Sequence, residues 1–319
     1  MKQLQPILTR LKKVPTVVFM LLVIVLFFSL KADNYFAWSN ISNILLQSAP
    51  LMILAFGQTL IVLTQGTDLS LGAQVSFTTV MWVLLASKGV PIYLAAIISL
   101  VMTMCIGAIN GFIIAKGKIP PFIVTLGMQN IINSISLLLT AGASIYFYHP
   151  IFQFISDSKI LFLPTPIWIA AFVFCLAWVL LHKTKFGINI RGLGGNQEAL
   201  TFAGINTVVA TVKTYAFVGI IAGISGLVTT CRVESGQPIV ATGWEFDAVA
   251  ATLLGGTSLR EGKGDLVGTI FGVLLIKVLQ NGLNVAGVST LYHNALIGFV
   301  VLSAIVIESV TRLNKEVRS

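Results

Sequence analysis

Ten apolar segments, at about 14–30, 43–64, 69–87, 91–115, 121–143, 164–181, 211–231, 245–258, 265–286 and 291–310, fill most of this chain and leave only short polar connections. A hydrocarbon layer about 30 Å thick is crossed by roughly 20 apolar residues in a helix. Lipid also supplies no hydrogen-bond partners, so the backbone must satisfy itself within each segment. The pattern therefore predicts an all-α polytopic membrane bundle of about ten transmembrane helices, residues 1–319 forming a single transmembrane domain. Charged residues make up 10% of the sequence and the mean hydropathy is +0.94, values that exclude a soluble globular protein. No stretch is left for a sizeable soluble domain, so any energy source is a separate chain or a gradient. Segment 245–258 is too short to cross comfortably and is expected to be a broken or re-entrant helix. Lys2, Arg10, Lys12 and Lys13 precede an apolar run with no small-x-small cleavage site after it, which reads as an uncleaved first span.

Ten crossings put both termini on one side. With the amino terminus inside, Lys2, Arg10, Lys12, Lys13, Lys116, Lys118, Lys183, Lys185, Arg191, Lys213, Arg260, Lys263, Arg312, Lys315 and Arg318 are cytoplasmic. Only Lys31, Lys88, Lys159 and Arg232 fall outside, and Lys277 lies within a span. This asymmetry orients the chain and accounts for its net charge of +9 without nucleic acid. Cys105, Cys175 and Cys231 are too far apart for a disulfide framework, and they and the scattered His149, His182 and His293 form no metal site. Gly107/Gly111, Gly219/Gly223 and Gly264/Gly268/Gly272 are spaced to let helix backbones approach closely in lipid. A faint echo links Gly66–Gly72 with Gly256–Gly262, each following an apolar run.

Polar groups inside the membrane show which helix faces avoid lipid. Gln47, Gln58 and Gln65 return to nearly one face at 100° per residue. Thr125, Gln129, Asn133, Ser136 and Thr140 share an arc of the fifth segment, and Lys277, Gln280, Asn281 and Asn284 follow helical spacing on the ninth. Such residues either tie helices together or line a route. A route of amides and hydroxyls would suit a neutral polyhydroxylated solute. On this reading Gln47, Gln58, Gln65, Gln129, Asn133, Gln280, Asn281 and Asn284 are the pathway candidates. Asp68 is expected to cap the following helix, with a proton relay as the alternative. Lys277 is expected to pair with a carboxylate, sit in a wet vestibule or snorkel outward.

One loop, about 183–213, holds a short helix of its own. Asn196 is a good N-cap, Glu198 favours the positive end of the helix dipole, and Gly204 can adopt the left-handed conformation that stops it. Ala199, Phe202 and Ala203 would form one apolar face. So short a helix needs packing to exist, either against its own protein or in a groove on a cytoplasmic partner. Enzyme chemistry finds no support: Gly256–Gly264 lacks the glycine and Ser/Thr of a phosphate loop, and Gly192-Leu-Gly194 lacks a dinucleotide fingerprint.

Several motifs then stand in order along the chain: Gly66-Thr-Asp-Leu-Ser-Leu-Gly-Ala73, Pro121-Phe-Ile-Val-Thr-Leu-Gly127, Leu193-Gly-Gly-Asn196, Gln237-Pro238, Gly243-Trp-Glu-Phe-Asp-Ala-Val-Ala-Ala251, Gly255-Gly-Thr-Ser258, Gly262-Lys-Gly264 and Asn281-Gly-Leu-Asn284. Over nearly its whole length the sequence resembles the membrane permease of ribose-type (pentose and hexose) ABC importers. The resemblance implies a permease subunit that moves a sugar inward by alternating access. It implies three protein partners: a cytoplasmic ABC ATPase pair carrying ATP and Mg, a periplasmic or surface sugar-binding protein, and a second permease copy. The chain itself would need no cofactor and would sit in a bacterial inner membrane. It also identifies the short helix as the coupling helix, with Gly195, Asn196, Glu198, Ala199, Phe202, Ala203 and Gly204 facing the ATPase. Arg232, Glu234, Glu245 and Asp247 are then the candidate contacts for the binding protein. Lys277 stands where a small residue is expected in such permeases. A secondary carrier driven by protons or sodium, with Asp68 as relay, and an intramembrane enzyme are the competing readings.

Overall fold

The computed structural model describes residues 16–31, 35–259, 261–292, 295–299, 302, 303 and 306, and within them the chain is almost wholly helical. Lys2, Arg10, Lys12, Lys13, Arg260, His293, Arg312, Lys315, Arg318 and much of segment 291–310 lie outside these residues. The helices are α1 (Thr16–Lys31), α2 (Trp38–Val62), α3 (Leu71–Ser87), α4 (Ile92–Gly117), α5 (Pro121–Thr140), α6 (Pro150–Asp157), α7 (Thr165–Lys183), α8 (Lys185–Gly195), α9 (Gln197–Phe202), α10 (Thr207–Val233), α11 (Trp244–Leu254) and α12 (Leu266–Val285). Six of them, α2, α4, α5, α7, α10 and α12, are long and apolar enough to cross a membrane. Prolines set several starts: Pro121 and Pro166 occupy first-turn positions of α5 and α7, where a missing N–H costs no hydrogen bond.

The six spanning helices form two groups. The most apolar windows of α2, α10 and α12 are 83%, 61% and 67% buried, whereas those of α4, α5 and α7 are 28%, 17% and 28% buried. The first group is the interior of the bundle, and the second turns apolar side chains such as Ile97, Phe122, Leu138 and Phe172 outward, as lipid requires. Pro50 interrupts the ladder of α2, and its carbonyl accepts a hydrogen bond from Ser225 Oγ of α10 at 2.7 Å.

The expected glycine contacts form between α4 and α10. A Cβ on Gly219 would meet the Thr103 carbonyl and lie 3.2 Å from Met104 Cα, and one on Gly111 would lie 2.8 Å from Val212 Cα. Van der Waals contact is the main attraction between helices in lipid, so loss of this approach is felt directly. Gly219→Val should destabilise the chain by about 1–3 kcal/mol, the usual range for overpacking. Thermal unfolding in detergent checks this, with Gly127→Val as the control, because a Cβ there meets nothing within 4 Å.

Two helices begin inside the bundle. Gly72, in the first turn of α3, abuts the Glu245 carboxylate, and a Cβ on it would lie 2.7 Å from the Ala241 carbonyl, just ahead of α11. Further along α3, Gly236 lies against Thr79 and Val80. The chain between residues 236 and 244 therefore runs back along α3 into the interior, and the first turns of α3 and α11 meet there. At the other end of α11 the chain reaches Gly262, which packs on the Leu63 carbonyl and Gly194. Eleven residues of helix rise about 16 Å, so α11 is too short to span alone, as its sequence predicts. Thr59 Oγ1 of α2 ties it in, 3.2 Å from Thr252 Oγ1 of α11 and 2.8 Å from Thr269 Oγ1 of α12. Buried hydroxyl pairs of this kind satisfy groups that lipid could not.

A small cap closes one end. Strand β1 (Ile145–Tyr146) pairs antiparallel with β4 (Ser235–Gly236), and β2 (Lys159–Ile160) with β3 (Leu163–Pro164). Phe152 of α6 is fully buried with its ring centroid 4.9 Å from that of Trp82, whose indole N–H donates to the Ile92 carbonyl at 2.9 Å.

Candidate functional site

The loop after α7 builds a projecting knob. Thr184 Oγ1 accepts the Phe186 N–H and starts α8, which runs to Gly195. Asn196 then turns to an extended conformation, and its Oδ1 accepts the Ala199 N–H at 2.9 Å, the N-cap expected from its sequence position. After only six residues α9 stops. Gly204 adopts φ +78°, its N–H donates to the Thr201 carbonyl, and the Ile205 N–H reaches back to the Leu200 carbonyl at 3.1 Å. This pair of bonds is a Schellman stop, completed by apolar contact between Ile205 and Leu200.

Leu200, with Leu193 and Ala210, anchors α9 to the body. Sequence reasoning missed this leucine, although its spacing of seven from Leu193 carried the signal. The opposite side is free: Gly195, Asn196, Glu198, Ala199, Phe202, Ala203 and Gly204 are all exposed, and Phe202 is 89% exposed. The apolar face of α9 thus points away from its own molecule. Such a ring at the exposed end of a short capped helix is a natural anchor for a groove on another protein.

Behind the knob lies a rigid connection to the interior. Gln65 Nε2 donates to the Gly194 carbonyl at 2.6 Å, and a Cβ on Gly194 would meet the Leu63 carbonyl and lie 3.2 Å from Gly262 Cα. Gln65, a pathway candidate, joins the segment after α2 to the base of the knob and also lines the cavity beside it. Gln65→Leu removes this hydrogen bond and is expected to raise amide hydrogen exchange across α8 and α9 by several-fold while the bundle stays folded, measured on the purified chain in detergent. The cavity, of about 750 Å³, opens beside this junction and is lined by Lys118, Gln197, Glu198, Thr207, Thr211 and Tyr215 among others.

The remaining polar candidates separate into ties and free groups. Asn281 and Asn40 exchange amide hydrogen bonds at 2.9 and 3.2 Å and bind α12 to the start of α2. Gln129 Nε2 donates to Glu245 Oε1 at 2.6 Å, joining α5 to α11. Gln47 bonds to Asn43, and Asn284 is exposed. Gln58 is fully buried with neither amide atom paired. Asn133 is half-buried, and on the same helix Asn130 and Ser134, which sequence reasoning passed over, are exposed one turn apart. Thr125, Ser136 and Thr140 are buried and bond to their own helix. Among the described residues no three His, Cys, Asp or Glu side chains gather as a metal set.

Lys277 is held inside by an amide and a ring, and among the described residues no carboxylate lies within ion-pair distance of it. It is 8% exposed, its Nζ donates to Gln280 Oε1 at 2.8 Å and lies 5.5 Å from the Trp244 ring centroid, and Asp247 supplies the opposite charge nearby. Of the four residues expected at the outer surface, Glu245 is the correction: it is 1% exposed, because its carboxylate is drawn inward by Gln129 and closed over by Gly72. Arg232, Glu234 and Asp247 are half-buried. The exposed groups at that end are Tyr146, Tyr148 and Phe162, the first and last 81% exposed, which short apolar runs between turn residues did not reveal.

A family model described as "Branched-chain amino acid transport system / permease component" matches residues 40–305. The ribose import permease RbsC of Escherichia coli (strain K12) is 36% identical over 293 residues, 91% of each chain, and RbsC of Bacillus subtilis (strain 168) is 37% identical over 296 residues, 90% of each. The D-allose transport system permease AlsC of E. coli K12 is 30% identical over 288 residues, 90% of this chain and 88% of its own. No solved structure matches. A projecting capped helix with an outward aromatic ring, on a bundle with two interior helix starts and a matching family model over most of its length, has one consistent reading: the chain belongs to this permease-component family, among the ribose-type ABC import permeases.

Proposed function

We propose that this chain is the permease subunit that carries a sugar, a pentose or hexose, inward across a bacterial inner membrane, driven by ATP hydrolysis in a separate subunit. The relatives are named for ribose, D-allose and galactose, neutral polyhydroxylated solutes that amide groups such as that of the buried Gln58 suit. The carrying observation is α9: anchored by Leu200 and exposing Phe202, it is shaped to seat in a cytoplasmic ATPase. Force applied there passes through Gly194 and Gln65 into the end of α2 and the segment leading to α3.

In this reading about ten helices cross, α11 and the turn after it together serving as one crossing, and both termini are cytoplasmic. The chain acts as one transmembrane domain, with residues 183–213 as its coupling loop. A second permease copy faces α5, whose exposed Asn130 and Ser134, with Asn133, line the route together with Gln58. Polar groups on a spanning helix are otherwise turned away from lipid. Arg232, Glu234 and Asp247, flanked by Tyr146 and Phe162, receive the sugar-binding protein. ATP and Mg belong to the partner ATPase.

The test is uptake in proteoliposomes. The chain assembled with its ATPase and binding protein should accumulate sugar only when ATP is hydrolysed. Uptake by this chain alone under a proton or sodium gradient, indifferent to ATP, would overturn the proposal in favour of a secondary carrier.

A further inference from the structure

We infer that the interior segment between α2 and α3 binds a monovalent cation of the sodium type. Ser70 Oγ is the hub of a buried cluster: it donates to Asp68 Oδ1 at 2.6 Å and accepts from Gln74 Nε2 at 2.9 Å and from Asn110 Nδ2 at 3.0 Å. The Ser70 N–H also donates to Asp68 Oδ1, at 2.8 Å. A serine hydroxyl has one proton, and here it is given to the carboxylate. Both amides must therefore present their NH₂ groups to the serine, which fixes their orientation by donor count alone.

That orientation leaves the oxygens over. Among the described residues Asp68 Oδ2, Gln74 Oε1 and Asn110 Oδ1 have no hydrogen-bond partner, on side chains that are 0% exposed. The Tyr215 hydroxyl is a fourth unpaired oxygen, 2.8 Å from where a Cβ on Gly66 would stand and within electrostatic range of Asp68. Its single proton can serve one of the three acceptors. Two stay empty, in a place that expels water from neighbouring apolar groups, and buried acceptors are seldom left so.

Charge points the same way. Among the described residues no Lys, Arg or His forms an ion pair with Asp68. The Ser70 N–H, at the head of α3 where a helix carries about half a positive charge, addresses Oδ1 rather than Oδ2. One added positive charge balances the carboxylate, whereas a divalent ion would leave an uncompensated charge in the interior. An all-oxygen set of carboxylate, amide and phenol groups suits a hard cation and not a thiolate- or imidazole-seeking metal. Unwound segments between helix halves are also where transporters hold such ions. Tyr215 also lines the cavity beside α9. A bound cation would join α3, α4 and α10 at the segment that Gln65 ties to the knob. This inference stands apart from the cargo and from the ATPase, since the site lies within one chain.

Thermal unfolding of the purified permease in detergent tests it, at constant ionic strength and two pH values, in sodium, choline or magnesium chloride. The melting temperature should rise saturably by several degrees with sodium and not with choline. Asn110→Ala and, if it folds, Asp68→Asn should remove the rise, and Gly127→Val should keep it. Equal curves in sodium and choline would mean that water fills the cluster. A shift that follows pH alone would mean a shared proton, and a response to magnesium in place of sodium would mean the wrong charge. Each of these three results overturns the inference.

Discussion

Phe202→Asp should strip the chain of its ATPase while leaving it folded. The ring is 89% exposed in the free subunit, so the permease loses no internal contact when the ring is replaced. Docking in a groove would bury it, which contributes about 2–3 kcal/mol for a side chain of this size. The aspartate would instead carry an unpaired charge into the same groove, adding at least about 2 kcal/mol of cost. Together these amount to roughly 4 kcal/mol or more, about a thousand-fold in affinity. Copurification of the ATPase with tagged permease should fall to background and ATP-driven uptake with it, while the unfolding temperature of the permease stays within error. Phe202→Leu, which keeps an apolar anchor, should keep most of the assembly. Stoichiometric ATPase on the Asp variant would remove the coupling role assigned to α9.

The sequence stated the knob almost completely because its determinants are local. Asn196 caps, Gly204 stops, and both act within three or four residues of their partners. Span positions were legible for the same reason: hydropathy is a property of a segment, and α4, α5, α7 and α10 fall where the apolar runs lie. What could not be read were relations between segments. Gln65 occupies the same helical face as Gln58 in projection, yet the helix ends at Val62 and Gln65 adopts φ +61°, so the periodicity argument expired three residues early. Glu245 reads as a surface charge from its place in the segment 232–247, with Arg232, Glu234 and Asp247. It is interior because that segment turns back along α3 rather than out, a choice made by Gly72, far away in sequence. The α5 stripe does mark the buried face, with Thr125, Ser136 and Thr140 inside, but serine and threonine can bond to their own helix, so alignment alone does not say whether that face ties helices or lines a route.

Lys277→Met should destabilise the permease by about 1–3 kcal/mol, the range for leaving a buried acceptor, here Gln280 Oε1, without its donor. The ammonium is held by Gln280 Oε1 at 2.8 Å and by the Trp244 ring, and it feels the Asp247 charge, so its loss also takes an opposite charge away from that carboxylate. Arg232, also near enough for its charge to be felt at Lys277, is only half-buried and compensates in part, which favours the lower end of the range. Asp247→Asn should be destabilising too, because it leaves the two cations facing each other without an anion. The double variant, Lys277→Met with Asp247→Asn, should recover part of the loss, since neither charge is then stranded. A double-mutant cycle on unfolding in detergent measures this as a coupling energy. Strictly additive single effects would show that Lys277 is held by Gln280 and Trp244 alone, and that the carboxylate has another partner.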